Sequence, residues 1–351
     1  MKVDLTMDAG FGAWVEGCGG TVVISTYQAG KLVLVGHDGR QPSVNMRDLH
    51  APMGVAIDGG KMAVALRESV VVFGDDPAIA PVLEGVPPGS FDHAYLPRVT
   101  HWTGDIRAHE VAFGAGGLWV VDTRHSCLCT SDHGGALEPR WRPRFVSAIA
   151  PEDRCHLSGL AMRDGAPAYV TAHAATDTKD GWREHKAGGG VVVDVASGEP
   201  FARGFTMPHS PRVAGGALWV CDSGEGALVR IDPATGARAV VTRLPGFTRG
   251  LCITGSHALV GLSRIREAKV FGGLSIAAHL PELVCGVAVV SLETGKVEGK
   301  LRFTSGCEEI FDVGVLPGRR RVQVVQPTER SSTSKTSVAS GGMTGGKPRA
   351  P

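Results

Sequence analysis

The chain has 351 residues, of which 36 are Lys or Arg and 35 are Asp or Glu, so its formal net charge is +1. This balance argues against nucleic-acid binding, because the chain lacks the excess of basic residues that attracts phosphates. No apolar run approaches the ~18 residues that a membrane-spanning helix needs. Residues 1–20 lack a basic region followed by an apolar stretch, so we expect no secretory signal.

The composition of the chain next indicates a protein rich in turns. It has 49 glycines, about 14% of its residues, against an average of roughly 7%. Most of them separate short apolar runs, which is typical of tight turns between β-strands. The eight cysteines form no CxxC pair, and buried free thiols are typical of a reducing compartment. We therefore expect an all-β protein in the cytoplasm.

One unit recurs along the chain. It consists of an apolar strand, a Gly-containing turn, a second apolar strand that ends in small or polar residues, and a third strand. The unit starts at Gly54, Glu110, Gly159, Arg212 and Gly250, and its clearest internal match is LWVVD against LWVCD. These starts lie 38 to 56 residues apart, close to the roughly 40–50 residues of a four-stranded propeller blade.

The two ends of the chain complete the pattern. A sixth first-strand pattern begins at Asp312, but too little sequence follows it to complete a blade. The segment TVVISTYQAGKLVLVG, from Thr21, supplies later strands with no first strand. We therefore predict a six-bladed β-propeller whose ring is closed by one blade shared between the N- and C-terminal strands. Such closure removes exposed sheet edges.

The predicted propeller is a single domain over residues 21–325, preceded by an N-terminal extension over residues 1–20. Residues 326–351 are rich in Ser, Thr, Gly and Lys, which predicts a disordered tail. Two long insertions, residues 87–110 and 174–190, show no helical period. Long irregular loops in a compact domain are often functional.

Long strings spread over the chain carry a resemblance to a known family. They are HLSGLAM, MPHSPRVAGGALWVCDSG, LPGFTRGLCITG and EEIFDVGVLPG, with RWRPRF and PEDRCH upstream. Together they resemble a bacterial family of conserved hypothetical propeller-like proteins of unknown function, over essentially the whole chain except the tail. The resemblance implies the propeller fold. It supplies no catalytic residues, so the site must be inferred from side-chain chemistry.

Polar residues recur at two positions of the repeat, just before the first strand and at the end of the second. Both positions lie on one face of a propeller, because the two strands form a hairpin. One mouth of the central channel is therefore predicted to collect histidines, arginines and acids. The opposite mouth, built from turns such as ITGS, has few polar side chains by comparison.

The predicted metal ligands at this mouth are His156, His209, Glu309 and His109. Imidazole with a carboxylate suits a divalent transition metal such as Fe, Zn, Cu or Mn, and two histidines with one carboxylate form the facial arrangement of non-haem iron sites. Two alternatives stay open: a metal-free small-molecule site, and structural histidines that line a polar channel. No nucleotide cofactor is expected, because the glycines of residues 187–190 follow no strand and open no helix.

Arginines near the same mouth predict an anionic substrate or a peptide, because guanidinium groups bind carboxylates and phosphates in bidentate fashion. The predicted substrate-binding residues are Arg107, Arg249, Arg264, Arg124, His173 and Asp222. The alternative is that these arginines pair with neighbouring acids.

The sequence thus predicts a protein that acts on a small anionic molecule or a peptide at a His/Arg/Glu site in the channel mouth. Its activity would be that of a transition-metal-dependent oxidoreductase or hydrolase. The alternative is a non-catalytic propeller that serves as a platform for protein–protein interaction or ligand binding, because propellers host both kinds of function. Neither function is expected to involve nucleic acid or a membrane.

Overall fold

Six small sheets form the ring that the repeat predicts, and the protein is a six-bladed β-propeller. The structure is a computed structural model that describes residues 2–131, 136–265 and 272–326. Apart from Gln326, the predicted tail over residues 326–351 lies outside the described residues. No helix in the described ranges combines the length and apolar character needed to cross a membrane.

Each blade is an antiparallel meander, and its first strand lies at the central channel. From the channel outwards, blade 1 contains β25 (Asp312–Leu316), β2 (Thr21–Ser25), β3 (Lys31–His37) and β4 (Pro42–Asp48). Blade 2 contains β5 (Val55–Asp58), β6 (Lys61–Ala65), β7 (Ser69–Asp75) and β8 (His93–Trp102). Blade 3 contains β9 (Ala108–Gly114), β10 (Gly117–Asp122), β11 (Cys127–Ser131) and β12 (Glu138–Trp141).

The second half of the ring follows the same order. Blade 4 contains β13 (Leu157–Arg163), β14 (Ala166–Ala172), β15 (Gly190–Asp194) and β16 (Pro200–Phe205). Blade 5 contains β17 (Pro208–Ala214), β18 (Ala217–Asp222), β19 (Ala227–Ile231) and β20 (Arg238–Arg243). Blade 6 contains β21 (Phe247–Thr254), β22 (His257–Ser263), β23 (Gly286–Ser291) and β24 (Val297–Ser305).

Blade 1 is the shared blade, as predicted, because β25 from the C-terminal part pairs antiparallel with β2 from the N-terminal part. Two further strands cover outer edges, which limits edge-to-edge association. β1 (Asp4–Met7) pairs with β24 of blade 6, and β26 (Val322–Val324) pairs in parallel with β8 of blade 2. The insertion over residues 87–110 is not irregular throughout, since it contains β8.

Short helices occupy a few connections. The helix α1 (Ala9–Cys18) starts at Asp8, whose carboxylate accepts a 2.8 Å hydrogen bond from the Phe11 amide, and ends at Gly19. Asp is a preferred residue at this capping position. The 3₁₀ helices are Tyr27–Ala29, Ala80–Val82, Gly181–His185, Ser223–Glu225 and Ser275–Glu282.

The hydrophobic core is divided into layers, one between each pair of neighbouring blades. This division follows from the sheet geometry, because the alternate faces of each blade pack against different neighbours. The layer between blades 6 and 1 also buries Phe11 and Val15 of α1. The N-terminal residues thereby become part of one inter-blade core.

The glycines that open the repeat units allow the first strands to converge on the channel. A Cβ on Gly54 would lie 2.8 Å from the Cα of Glu110, and a Cβ on Gly159 would lie 2.4 Å from the Cδ of Pro211. In both cases the contact is with the next blade. A side chain at these positions would push neighbouring blades apart, which explains why glycine recurs there.

Candidate functional site

Four histidines from three blades meet at one mouth of the channel. We call His109, His156, His173 and His209 the histidine cluster. Ring centres are 4.8 Å apart for His109 and His156, 4.2 Å for His156 and His173, and 4.9 Å for His173 and His209. Three of these residues precede or begin first strands and one follows a second strand, so the hairpin argument from the repeat brings them to the same face.

The ring of His109 is held by two oxygen atoms at Nδ1. The Arg107 carbonyl lies 2.9 Å from this nitrogen, and the Thr123 hydroxyl also lies 2.9 Å from it. The Thr123 hydroxyl donates its own hydrogen to the Leu157 carbonyl at 2.6 Å. It must therefore accept from Nδ1, which makes Nδ1 the protonated nitrogen and leaves the Nε2 lone pair of His109 available.

His209 repeats this arrangement one hundred residues later. Its Nδ1 lies 3.0 Å from the Met207 carbonyl and 2.9 Å from the Ser223 hydroxyl. The Ser223 hydroxyl donates to the Thr248 carbonyl at 2.5 Å, so it also accepts from the ring. In both cases the residue two positions earlier has a positive φ, 53° at Arg107 and 52° at Met207. Such strained backbone is concentrated at functional sites.

His156 has a carboxylate as its partner. Its Nδ1 lies 2.9 Å from Oδ2 of Asp153, a buried residue that also accepts a 3.0 Å hydrogen bond from Arg107. A carboxylate on one nitrogen of an imidazole fixes the orientation of the ring and leaves the second nitrogen to face a ligand.

Buried polar atoms without a partner are concentrated at this mouth. Both ring nitrogens of His173 are buried and have no hydrogen-bond partner, and the same holds for Nε1 of Trp182 and Nη2 of Arg249. Each such atom costs about 1–3 kcal/mol. A folded chain tolerates them most readily where a ligand supplies the missing partner.

Burial keeps three of the four imidazoles uncharged. It lowers the pKa of His109, His173 and His209 well below the ordinary value of 6.5. The charge of Arg249 lowers the pKa of His109 and His209 further. These rings are therefore neutral at neutral pH, which is the form that binds metal ions.

An apolar layer covers the cluster. Trp182, from the insertion over residues 174–190, is only 3% exposed and its ring centre lies 4.4 Å from that of His156. Met207, Phe247 and Ile276 of the 3₁₀ helix Ser275–Glu282 belong to the same apolar group. Trp182 and Phe247 contact His173 and His209, the two buried rings. Exclusion of water from these rings strengthens electrostatic interactions between them.

Arg249 brings a positive charge to the edge of the cluster. Its Nη1 lies 3.3 Å from Oε1 of Glu309, and its guanidinium carbon lies 3.3 Å from the ring centre of Phe311. Phe311 in turn contacts His109, with ring centres 5.2 Å apart. Burial lowers the pKa of Arg249 to about 10, opposed by the charge of Glu309, so the guanidinium remains charged at neutral pH.

The other residues predicted to bind substrate have local partners. Arg107 pairs with Asp153, and Arg124 donates to the Asp105 carbonyl at 3.1 Å. Arg264 is exposed, and its Nε donates to the Leu283 carbonyl at 3.1 Å. Asp222 is buried beneath the mouth and accepts a 2.7 Å hydrogen bond from the Thr206 amide. Of the predicted arginines, the described contacts thus place Arg249 beside the histidine cluster.

The cluster can be compared with a metal centre. Two imidazoles on one metal, with bonds of ~2.1 Å and angles of about 90–110°, place their ring centres roughly 4.5–5.3 Å apart. The neighbouring rings approach this spacing. However, no three histidine nitrogens lie within 4.8 Å of one another: in the part of the chain that the structure describes, the one such group of ligand atoms belongs to Asp122, Cys127 and Cys129. A metal shared by the histidines therefore requires their rings to rotate toward a common point.

The opposite end of the channel contains more charged side chains than the sequence predicts. A cavity of about 800 Å³ opens there, and all six first strands contribute to its wall. Arg212 and Glu110 line this cavity, and together with the buried Asp312 they form a charged group that we call the channel triad. Nη2 of Arg212 lies 2.9 Å from Oε1 of Glu110 and 3.4 Å from Oδ1 of Asp312.

Sequence reasoning did not find the residues that hold the histidines. Thr123 and Ser223 occupy matching places, directly after the aspartate of LWVVDT and LWVCDS. The repeated hydroxyl at this position could have identified both residues from the sequence. The covering role of Trp182 had no such pattern, because the insertion that carries it occurs in one blade only.

The fold and the mouth define a six-bladed propeller with four neighbouring histidines at one mouth of its channel. The chain belongs to the family described as a domain of unknown function (DUF4915), whose model matches residues 9–325. This membership confirms the resemblance to an uncharacterised propeller family. No curated protein matches the chain.

A solved structure shares the fold. One chain in the crystal structure of a nidogen/laminin complex aligns with a TM-score of 0.55 and 10% identity, covering 85% of this chain and 99% of that one. At this level of identity the likeness concerns the fold alone.

Proposed function

We propose that the histidine cluster binds a divalent transition metal, and that the protein is a metal-dependent enzyme for a small anionic substrate. The observation that carries this proposal is the arrangement of the imidazoles: four neighbouring rings, three of them held at Nδ1, with the pKa of His109, His173 and His209 lowered by burial. Imidazole ligands suit Fe, Zn or Cu, and Mn where a carboxylate joins. The metal would act as a Lewis acid or a redox centre.

The substrate would bind between the cluster and Arg249. Nη2 of this arginine is a buried donor without a partner, and a guanidinium next to a metal favours an anion that contacts both. In this proposal Glu309 orients Arg249, with which it pairs. The predicted role of Glu309 as a metal ligand would require that pair to open.

The remaining residues of the mouth would exclude water and fix geometry. The apolar layer around Trp182 would shield the reacting atoms, and its position over His156 means that the insertion over residues 174–190 must move for substrate to enter from this side. Whether the reaction is an oxidation or a hydrolysis depends on the metal, so the identity of the metal is the first quantity to measure.

The test is the metal content of the full chain, purified without chelators and without metal-affinity resin. We expect the wild type to hold about one equivalent more of Fe, Zn, Cu or Mn than His156→Ala/His209→Ala does. The matched control is His93→Ala, because His93 is also a partly buried histidine paired with a carboxylate, at 2.8 Å from Asp75. A folded wild type without metal, which also takes up none on reconstitution, overturns the proposal.

A second candidate function is favoured by the cavity at the other end of the channel. Its volume of about 800 Å³ lies within the roughly 300–1,000 Å³ of small-molecule sites. Its wall combines apolar side chains with polar ones, including Arg212 and Glu110. A non-catalytic ligand-binding propeller would use this cavity for an apolar molecule with a polar head.

The probe for this function is anilinonaphthalene sulfonate, which has an apolar body and an anionic head. Ala214→Trp would fill part of the cavity and abolish its saturable fluorescence change, whereas Ala234→Trp, in an exposed turn, would not. Equal binding by both variants would exclude this cavity as the site.

A further inference from the structure

A second group of ligand-type side chains lies in blade 3, away from the histidine cluster. The strand β10 ends at Asp122, a turn follows, and β11 begins at Cys127. Because side chains alternate along a strand, Cys127 and Cys129 lie on the same face of β11. Asp122 is the cross-strand partner of Cys127. The hairpin thus brings two thiols and a carboxylate together.

The distances within this group match those of a thiolate-bound metal. The two Sγ atoms are 3.8 Å apart, and an oxygen of Asp122 lies within 4.8 Å of both. Two thiolates on one tetrahedral metal with ~2.3 Å bonds are about 3.8 Å apart. A metal at their meeting point would need little movement of the three side chains.

The surroundings also suit such a site. All three side chains are buried, and His125 reinforces the carboxylate, since its Nδ1 lies 2.8 Å from Oδ2 of Asp122 and its backbone amide donates to Oδ1 at 2.9 Å. Second-layer partners of this kind orient metal ligands. The side chain of His125 is 28% exposed, which provides an approach from solvent.

We propose that Asp122, Cys127 and Cys129 form a binding site for a thiophilic divalent cation of the Zn²⁺ class. The two thiols bind as thiolates, so each releases its proton to solvent when the cation enters. The fourth position is left to water or to His125 after rotation of its ring. No redox step is involved, and the site is independent of the function proposed for the histidine cluster.

The molecule contains its own control pair. Cys285 and Cys307 are also buried, with Sγ atoms 3.8 Å apart. Among the described residues, however, this pair belongs to no group of three ligand atoms within 4.8 Å. If thiol proximity alone were sufficient, both pairs would bind. If the carboxylate is required, only the blade 3 pair would bind.

The test is a titration of the full chain with Cd²⁺, after thiol counting has shown all cysteines to be reduced. We expect one equivalent to produce thiolate-to-metal charge-transfer absorption. This absorption should disappear in Cys127→Ser/Cys129→Ser and persist in Cys285→Ser/Cys307→Ser and in His156→Ala/His209→Ala. The last variant separates this site from the histidine cluster, which has no thiolate.

Asp122→Asn keeps the thiols and the acceptor for the His125 amide, so it serves if the double cysteine variant does not fold. It should weaken Cd²⁺ and Zn²⁺ binding at least tenfold. No charge-transfer absorption in the reduced wild type, equal loss with the Cys285/Cys307 variant, or unchanged affinity in Asp122→Asn would each overturn the proposal.

Discussion

The histidine cluster and the channel triad lie only three residues apart on β17, at His209 and Arg212. They differ in whether their polar atoms have hydrogen-bond partners within the protein. In the triad, Arg212 contacts Glu110 and Asp312, and Asp312 also accepts 2.9 Å hydrogen bonds from the amides of Val55 and Val313. In the cluster, His173 has no partner at either ring nitrogen.

This difference distinguishes polar groups that stabilise the fold from polar groups that are available to bind a ligand. A satisfied buried network holds neighbouring elements in one arrangement. Buried atoms without partners reduce stability by about 1–3 kcal/mol each, so several in one place indicate a role other than folding. The triad joins blades 1, 3 and 5, whereas the cluster leaves both ring nitrogens of His173 without partners. Four substitutions or comparisons test this distinction.

The largest effect is expected for Arg212→Met. Removing the guanidinium leaves two buried carboxyl groups without a counter-charge, which should lower the free energy of unfolding by about 3–5 kcal/mol. Arg230→Met, on the exposed side of β19, should change it by less than about 0.5 kcal/mol. Urea denaturation measures both. A loss under about 1 kcal/mol for Arg212→Met would mean that the triad does not hold the blades together.

The next largest effect is a pH dependence of the free energy of unfolding. Burial raises the pKa of Glu110 to about 8 and also raises the pKa of Asp312, so the Glu110 carboxyl keeps its proton to a higher pH in the folded chain than in the unfolded chain. Above pH 4.5, the ordinary value for Glu110, the unfolded chain loses this proton while the folded chain keeps it. Stability contributed by Glu110 therefore falls as pH rises, until the raised pKa is passed.

Glu110→Gln mimics the protonated acid and should remove this dependence. We expect the wild type to lose about 2 kcal/mol of stability relative to the variant between pH 5 and pH 8. Thermal unfolding at both pH values measures it. Parallel profiles for the two proteins would show that Glu110 is ionised in the folded state throughout.

A pair of histidine substitutions is expected to have effects of opposite sign in metal-free protein. His209→Leu removes the donor to the Met207 carbonyl and should lower stability by about 1–2 kcal/mol. His173→Leu removes two buried atoms without partners, so stability should be unchanged or rise by about 1 kcal/mol. A marked loss of stability in His173→Leu would show that the His173 ring stabilises the folded chain.

The smallest expected effect concerns anion binding. In the metal-loaded protein, Arg249→Gln should leave the metal content unchanged and weaken azide binding about tenfold, which corresponds to about 1.4 kcal/mol. Arg264→Gln should change it by less than about twofold, since its guanidinium already donates to a backbone carbonyl. Calorimetric titration with azide measures both. Equal effects of the two substitutions on azide affinity would mean that Arg249 does not bind the anion.

The fold could be predicted closely because a propeller repeats one pattern. First-strand starts at Gly54, Glu110 and Gly159 mark the inner strands of successive blades, and Asp312 marks the shared one. The same register brought His109, His156 and His209 to one mouth. Both inferences use the spacing of residues alone, which is visible in the chain.

The contacts of these residues could not be predicted in the same way. Strict alternation along β17 would place His209 and Arg212 on opposite faces, but the pairing with β18 shifts register between them. Such bulges redirect side chains and have no reliable sequence pattern. This irregularity explains why Arg212 was not recognised as a channel residue, and why the triad was missed.

The pairing of β2 with β25 also determines when blade 1 can form during synthesis. Ser25 accepts a 3.0 Å hydrogen bond from the Asp312 amide, across 287 residues. Strands β2 to β4 therefore leave the ribosome long before β25, and one edge of β2 stays unpaired until β25 has emerged. Contacts of such wide separation slow folding, and an open edge invites strand exchange with a second nascent chain. Because Asp312 belongs to the channel triad, the charges of that triad become fully paired only when β25 has joined the sheet.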